Sequence, residues 1–311
     1  MMRLFFVSIF LMAGLAGLSA CQSTGGSGLA FYNPQYSAVA RSSQTTTNQA
    51  STKPKTVNVS GTLKADIYSP HPDRPKGLFA LVSAKPKTQV PVIVYVHGGG
   101  WIKGERTKVY NLPSYAKSRG YMLVSVDYRP VPKTTIDGQV SDIVKSIRWV
   151  RNNIGKYGGD PSKIVIMGHS AGSHLVSLIA VKKLAGPVRG VVANDVQAYD
   201  LPEYYRLRNN SMARVYRQAF GTRQSDWVKY SPITYVDRNS GYPPFLILYS
   251  RSDYERRKAL ATGFARELRS RGTSVTLFDG RNYTHGSIAR DISKSGSVTK
   301  AVDRFLSAAF I

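Results

Sequence analysis

Cysteine, histidine and acidic residues are scarce in this sequence of 311 residues. Cys21 is the only cysteine, which excludes an intrachain disulfide and any metal site made of paired cysteines. The five histidines are scattered, and none belongs to an H-E-x-x-H pattern. We therefore expect no metal and no other cofactor.

The shortage of acidic residues gives the chain a strong positive charge. There are 18 acidic residues against 43 lysines and arginines, a formal net charge of +25. A field of this sign attracts anionic surfaces such as lipid headgroups, acidic polysaccharides or nucleic acids. Because the basic residues are spread along the chain, the pattern favours solubility and argues against a nucleic-acid partner. An anionic surface stays open as a partner.

The N-terminus has the pattern of an exported lipoprotein. Arg3 precedes the apolar run LFFVSIFLMAGLAGLSA and then Cys21, the order found in secretory signal peptides. The run is shorter than the roughly 20 residues that span a bilayer, which disfavours a transmembrane anchor. LSAC resembles the bacterial lipobox, which implies cleavage before Cys21 and acylation of its thiol. Gln22 resembles an outer-membrane sorting signal, so we expect a lipid anchor there, on the periplasmic side.

The chain divides into three predicted parts. Residues 1–20 form the signal peptide. Residues 21–55 form a flexible tether, since they are rich in Ser, Thr, Gly, Asn and Gln and lack apolar periodicity. Residues 56–311 form one domain, in which an aromatic and arginine-rich excursion at about 200–240 resembles a small cap over the strand ends.

Apolar strands alternate with helices in this domain. Near-continuous apolar runs predict parallel strands covered on both faces, and the alternation predicts an α/β, mostly parallel, doubly wound sheet with helices on both faces. Residues 56–68 predict antiparallel strands at its edge. The other predicted strands are residues 92–96, 122–126, 163–167, 190–193, 245–249 and 274–278, and the predicted helices are residues 136–154, 254–271 and a C-terminal one.

Two motifs indicate an activated serine. GHSAG, residues 168–172, lies between a strand and a helical run, the setting in which G-x-S-x-G exposes a nucleophile, here Ser170. HGGGW follows an earlier strand, and Gly99 and Gly100 can approach an oxyanion because they have no Cβ. The amide of Ala171 completes the predicted oxyanion hole. His97 is expected to support the loop.

The serine needs a base and an acid. Hydrolases of this type have the order Ser, acid, His, which selects His285 as the base. His174 is expected to be packed on its helix. The acid must follow a strand, and Asp253 after FLILYS is the predicted residue. Asp279 is the second choice, and Asp195 also ends a strand.

These motifs resemble those of the α/β-hydrolases, in particular hormone-sensitive-lipase-like esterases, feruloyl-esterase-like proteins and kynurenine formamidases. The resemblance runs from about residue 65 to the C-terminus, and it implies the α/β-hydrolase fold with Ser170, Asp253 and His285 as the catalytic triad. YERRKA after Asp253 departs from the family, where an apolar residue and proline are common, and places Arg256 and Arg257 beside the acid.

We therefore expect a serine hydrolase, a carboxylesterase that cleaves small-molecule or polymer-borne esters through an acyl-enzyme. An arylformamidase would use the same residues. A tethered binding lipoprotein without activity is the other alternative. Candidate residues for the substrate pocket, with ordinary packing as the alternative reading, are Trp101, Tyr204, Tyr205, Tyr216 and Phe220.

Overall fold

The computed structural model describes residues 53–70, 88–237 and 241–311. The predicted signal peptide, Cys21 and most of the predicted tether lie outside these residues. In the part that is described, every helix is too short or too polar to cross a lipid bilayer.

One sheet of eight strands organises the domain. Its order is β1-β2-β4-β3-β5-β6-β7-β8, with β1–β2 and β2–β4 antiparallel and the remaining pairs parallel. All the predicted strands are present, with ends that differ by a few residues. The strands are β1 (Lys55–Ser60), β2 (Leu63–Tyr68), β3 (Val90–Val96), β4 (Met122–Val126), β5 (Gly159–His169), β6 (Gly190–Asn194), β7 (Phe245–Ser250) and β8 (Val275–Gly280).

Alternate residues of the central strands enter two separate cores. Val92 and Val94 belong to the core on one face of the sheet, whereas Ile93 and Tyr95 belong to the core on the other. Since successive side chains of a strand point to opposite faces, a strand that is apolar throughout must be covered on both sides. This explains why β3 is buried over almost its whole length.

Helices cover both faces, as the sequence predicted. The larger core receives α2 (Ile136–Asn153), α3 (Ala171–Val181) and α7 (Tyr254–Ser270). The smaller core receives α1 (Leu112–Ser118), α8 (Ser287–Arg290) and α9 (Ser297–Ala309). Helix α2 begins at Thr135, whose hydroxyl accepts a hydrogen bond from the amide of Gly138, a standard N-cap.

The excursion between β6 and β7 is helical. It contains α4 (Leu201–Arg206), α5 (Arg214–Phe220), α6 (Gln224–Tyr230) and a 3₁₀ turn at Pro232–Tyr235. Buried aromatic side chains from all three helices join the larger core. The excursion is therefore packed against the same face as α3.

The functional candidates gather at one edge of the sheet. Strands β5, β6 and β7 are parallel neighbours that end at His169, Asn194 and Ser250. Residues that follow these ends share the carboxyl edge of the sheet, where ligands bind in open α/β folds.

Candidate active site

Ser170 occupies a strained turn between β5 and α3. Its φ is +56° and its ψ is −122°, a backbone conformation that residues other than glycine rarely adopt. A Cβ on Gly172 would lie 2.0 Å from the carbonyl oxygen of Val96, and a Cβ on Gly168 would overlap the backbone of Gly172 at 2.3 Å. Gly172 is thus needed for α3 to pack against β3, and Gly168 for the end of β5 to approach the first turn of α3.

His285 reaches Ser170 from the far end of the chain. Its Nε2 lies 3.0 Å from the Ser170 hydroxyl, within hydrogen-bond distance for proton transfer. The loop that carries His285 is fixed at Thr284, whose amide donates to the Ser287 hydroxyl at 2.8 Å. The structure brings these two predicted residues together.

The carboxylate that contacts His285 belongs to Asp195. Its Oδ2 lies 2.6 Å from Nδ1 of His285. Asp253 was the residue predicted for this contact, and that prediction is wrong. The Asp253 side chain is 56% exposed and pairs with Arg256 at 2.8 Å. Asp279, the second choice, hydrogen-bonds Tyr254 instead, at 2.7 Å.

Two consecutive arginines pair with different aspartates. Arg256 donates to the Gln197 side chain at 2.6 Å and holds Asp253 at the surface. Arg257 is almost fully buried and donates to Oδ1 of Asp195 at 3.0 Å. The departure YERRKA thus supplies Arg256, which pairs with Asp253 at the surface, and Arg257, which pairs with Asp195 in the interior.

Asp195 is a buried, ionised carboxylate. Its backbone φ is +63°, and its Oδ1 also accepts the amide of Ser250 at 2.9 Å. Burial alone would raise its pKa, but the hydrogen bond from His285 and the charge of Arg257 outweigh burial and leave the pKa below its ordinary value. An ionised carboxylate only accepts hydrogen bonds. Nδ1 of His285 therefore carries the proton, and Nε2 offers its lone pair to the Ser170 hydroxyl.

His169, the last residue of β5, hydrogen-bonds the loop that carries His285. Its Nε2 donates to the carbonyl oxygen of His285 at 2.8 Å, and the two rings lie 4.7 Å apart. Burial, with a smaller effect from His285, lowers the pKa of His169 to about 4. His169 is therefore neutral near pH 7 and acts as a donor. The chain order Ser, acid, His gives no role to His169, because it precedes Ser170.

The glycine-rich loop lies directly beside Ser170. Gly99 has φ +132° and Gly100 has φ +60°, and a Cβ on Gly99 would lie 1.8 Å from the carbonyl oxygen of Lys103. Among the described residues, the amides of Gly99, Gly100 and Ala171 are bonded to no protein acceptor. Amides without a protein acceptor are what an oxyanion hole requires, and Gly99 and Gly100 line the cavity beside Ser170.

His97 lies inside this loop. Its ring is buried and stacks on Tyr128 at 4.3 Å, and its Nδ1 donates to the carbonyl oxygen of Gly98 at 2.7 Å. A Cβ on Gly104 would lie 2.5 Å from the ring. The side chain therefore fills the loop from within, the supporting position expected of it.

Trp101 ties the loop to the nucleophile helix. Its indole N–H donates to Nδ1 of His174 at 3.2 Å, and Nε2 of His174 donates to the carbonyl oxygen of Tyr230 at 2.7 Å. His174 is fully buried, and burial lowers its pKa to about 4. The expectation that His174 is a packed residue is confirmed.

A cavity of about 760 Å³ opens beside Ser170. None of the five aromatic residues considered for the pocket lines it, and four of them (Trp101, Tyr204, Tyr216 and Phe220) are buried together in the larger core. Val215 of the excursion does line it. In the part of the chain that the structure describes, no cluster of His, Cys, Asp or Glu could hold a metal ion. The remaining wall consists of Gly98, Gly99, Gly100, Ile102, Lys103, Gly104, Thr107, Lys108, Tyr110, His169, His285 and Gly286.

Comparison with known proteins agrees with this architecture. Esterase LipQ of Mycobacterium tuberculosis is 31% identical over 244 residues, which cover 71% of this chain and 56% of LipQ. Isoprenylcysteine alpha-carbonyl methylesterase of Arabidopsis thaliana is 29% identical, covering 62% of this chain and 50% of that protein. The chain thus spans about half the length of these relatives.

Solved structures show the same fold. Esterase 2 of Thermogutta terrifontis superimposes with a TM-score of 0.60 at 22% identity, over 83% of this chain and 92% of that one. A Pyrobaculum calidifontis esterase gives a TM-score of 0.63 at 25% identity, over 83% and 86%. The BD-FAE family model matches residues 80–260. The chain belongs to the BD-FAE family, an esterase family of the α/β-hydrolase fold.

Proposed function

We propose that this protein is a serine esterase that hydrolyses carboxylic esters. The observation that carries the proposal is the continuous hydrogen-bond chain from Asp195 through His285 to Ser170, 2.6 Å and then 3.0 Å long, beside an open cavity. This is the arrangement in which imidazole removes the proton of an attacking hydroxyl.

The reaction proceeds in two halves. His285 takes the Ser170 proton as Oγ attacks the ester carbonyl, and the amides of Gly99, Gly100 and Ala171 stabilise the oxyanion. His285 then gives that proton to the leaving alcohol, which departs from the acyl-enzyme. Water, deprotonated by His285, attacks the acyl carbon; the bond to Ser170 Oγ then breaks, His285 returns the proton to Oγ, and the carboxylic acid is released. Asp195 stabilises the imidazolium that forms in each half.

A substrate panel tests this proposal. Wild type and Ser170→Ala should be assayed with 4-nitrophenyl esters of two to twelve carbons, with acetylated glycans and with N-formylkynurenine. We expect ester turnover that Ser170→Ala reduces by about 10⁴-fold or more. Equal turnover by the two proteins rejects the mechanism, and preferred cleavage of the formyl amide favours a formamidase.

We further propose that the protein is exported and anchored by lipid on Cys21, on the periplasmic side of the outer membrane. The support is the Arg3, apolar-run and LSAC pattern together with Gln22. Two or more acyl chains suffice for stable anchoring. Cys21→Ala should release the protein from the membrane fraction, and a variant that stays membrane-bound places the anchor elsewhere.

A further inference from the structure

Two of the side chains on the wall of the cavity are lysines. Lys103 and Lys108 are exposed and line it on the loop that follows HGGG. No carboxylate contributes to that wall. Glu105 lies on the same loop but outside the wall, so the charge that faces a bound substrate is positive.

The two lysines are not neutralised by the protein. Among the described residues, neither Lys103 nor Lys108 forms an ion pair with a carboxylate, in contrast to Lys229 and Lys294. Asp127, close to the loop, forms an ion pair with Arg106 at 2.9 Å. The ammonium groups of Lys103 and Lys108 are therefore available to a ligand.

The carboxylate nearest the reacting atoms does not cancel this field. Asp195 is fully buried behind His285, and Arg257 pairs with it at 3.0 Å. The chain as a whole carries +25. A cleft lined by charges of one sign concentrates field lines and attracts ligands of the opposite sign.

We propose that the site selects esters that carry an anionic group, a carboxylate or a group of equivalent charge, which Lys103 and Lys108 bind. The inference rests on the esterase activity proposed above and specifies its substrate class. Esterified acidic sugars or other carboxylate-bearing esters fit this chemistry, whereas neutral esters of the same shape lose the ion pairs.

Matched esters that differ by one charge test the proposal. On the alcohol side, 4-acetoxybenzoate is compared with 4-acetoxybenzamide. On the acyl side, monomethyl adipate is compared with methyl adipamate. Each kcat/KM is divided by the alkaline hydrolysis rate of the same ester to remove intrinsic reactivity. We expect an anionic preference of about tenfold in at least one pair, falling to about twofold in 1 M NaCl, where the Debye length is about 3 Å.

Variants separate the two lysines from the general charge. Lys103→Met and Lys108→Met should lower the anionic-to-neutral ratio, and the double variant should bring it near one. The ratio cancels any loss that both esters share. Lys145→Met removes the same charge from the exposed face of α2, outside the cavity wall, and should leave the ratio unchanged.

The outcomes are distinguishable. Equal kcat/KM for anionic and neutral esters in the wild type overturns the inference and leaves the esterase proposal intact. A preference that survives in the double variant, or that falls as much in Lys145→Met, also overturns it, because the two lysines are then not its source. Failure to cleave any ester, with wild type matching Ser170→Ala, rejects the esterase proposal and the inference together.

Discussion

Asp195→Asn and Asp253→Asn form a matched pair that tests the choice of acid. Asparagine at 195 presents an amide where Nδ1–H of His285 now finds a carboxylate at 2.6 Å. The imidazole then loses both its tautomer control and the charge that stabilises the imidazolium. In a Ser-His-Asp arrangement this change costs about 10⁴ in kcat, which equals about 5 kcal/mol of transition-state stabilisation. Asp253→Asn alters a side chain that is 56% exposed, so we expect less than a twofold change.

The assay is kcat/KM on 4-nitrophenyl butyrate for both variants. Asp195→Asn also removes the buried partner of Arg257, and breaking such a pair typically destabilises a protein by about 3–5 kcal/mol. Circular dichroism and thermal melting must therefore show that the variant is folded at the assay temperature. A folded Asp195→Asn that loses less than tenfold, beside an Asp253→Asn that loses about 10³, would refute the assignment drawn from the geometry.

Three further predictions concern the supports of the site. Burial lowers the pKa of His174 to about 4 in the fold, against about 6.5 when unfolded, so the unfolded state binds more protons between these values and the free energy of unfolding should fall as the pH drops from 6.5 to 4. Urea unfolding of His174→Gln should show a shallower pH dependence of that free energy than wild type. An unchanged pH dependence would contradict this prediction. Gly172→Ala places a methyl group 2.0 Å from the Val96 carbonyl oxygen and should destabilise the protein by about 3 kcal/mol or more, visible as a lower Tm; a Tm within 2 °C of wild type would contradict the close packing. Trp101→Phe leaves Nδ1 of buried His174 without its donor and should cost about 1–3 kcal/mol in urea unfolding, whereas a change below about 0.5 kcal/mol would mean that the hydrogen bond is not needed.

The sheet was predictable because its strands are short apolar runs separated by turn residues and helical patterns. Residues 122–126 were predicted as a strand with both ends correct. The ends of β5 were harder to predict, because GDPS precedes its apolar run and extends the strand to Gly159. Gly159 pairs with Val90 through its backbone, and the polar residues after it give no hydrophobic signal.

The acid could not be chosen from the sequence because strand ends alone do not give side-chain direction. Asp195 and Asp253 follow parallel strands, and Asp279 is the penultimate residue of another, all at the same edge of the sheet. What separates them is a backbone turn with φ +63° at Asp195 and the partners Arg256 and Arg257. The two consecutive arginines were visible as a departure from the family pattern, but their effect on Asp195 required the packing of α7 against β7 and β8.

Ser170 and His285 were predictable because a motif and the chain order constrain them, and the structure brings them together. The support from His169 was not predictable. Its importance comes from a hydrogen bond to a residue 116 positions later, and nothing in GHSAG distinguishes a supporting histidine from an inert one.

An aspartate follows each of the neighbouring strands β6 and β7, and only one of the two contacts the imidazole. In this chain Asp253 pairs with Arg256 at the surface, whereas Asp195 pairs with Arg257 and His285 in the interior. Transferring a functional label along an alignment column would then name the wrong aspartate in such a protein, although fold and nucleophile are matched correctly.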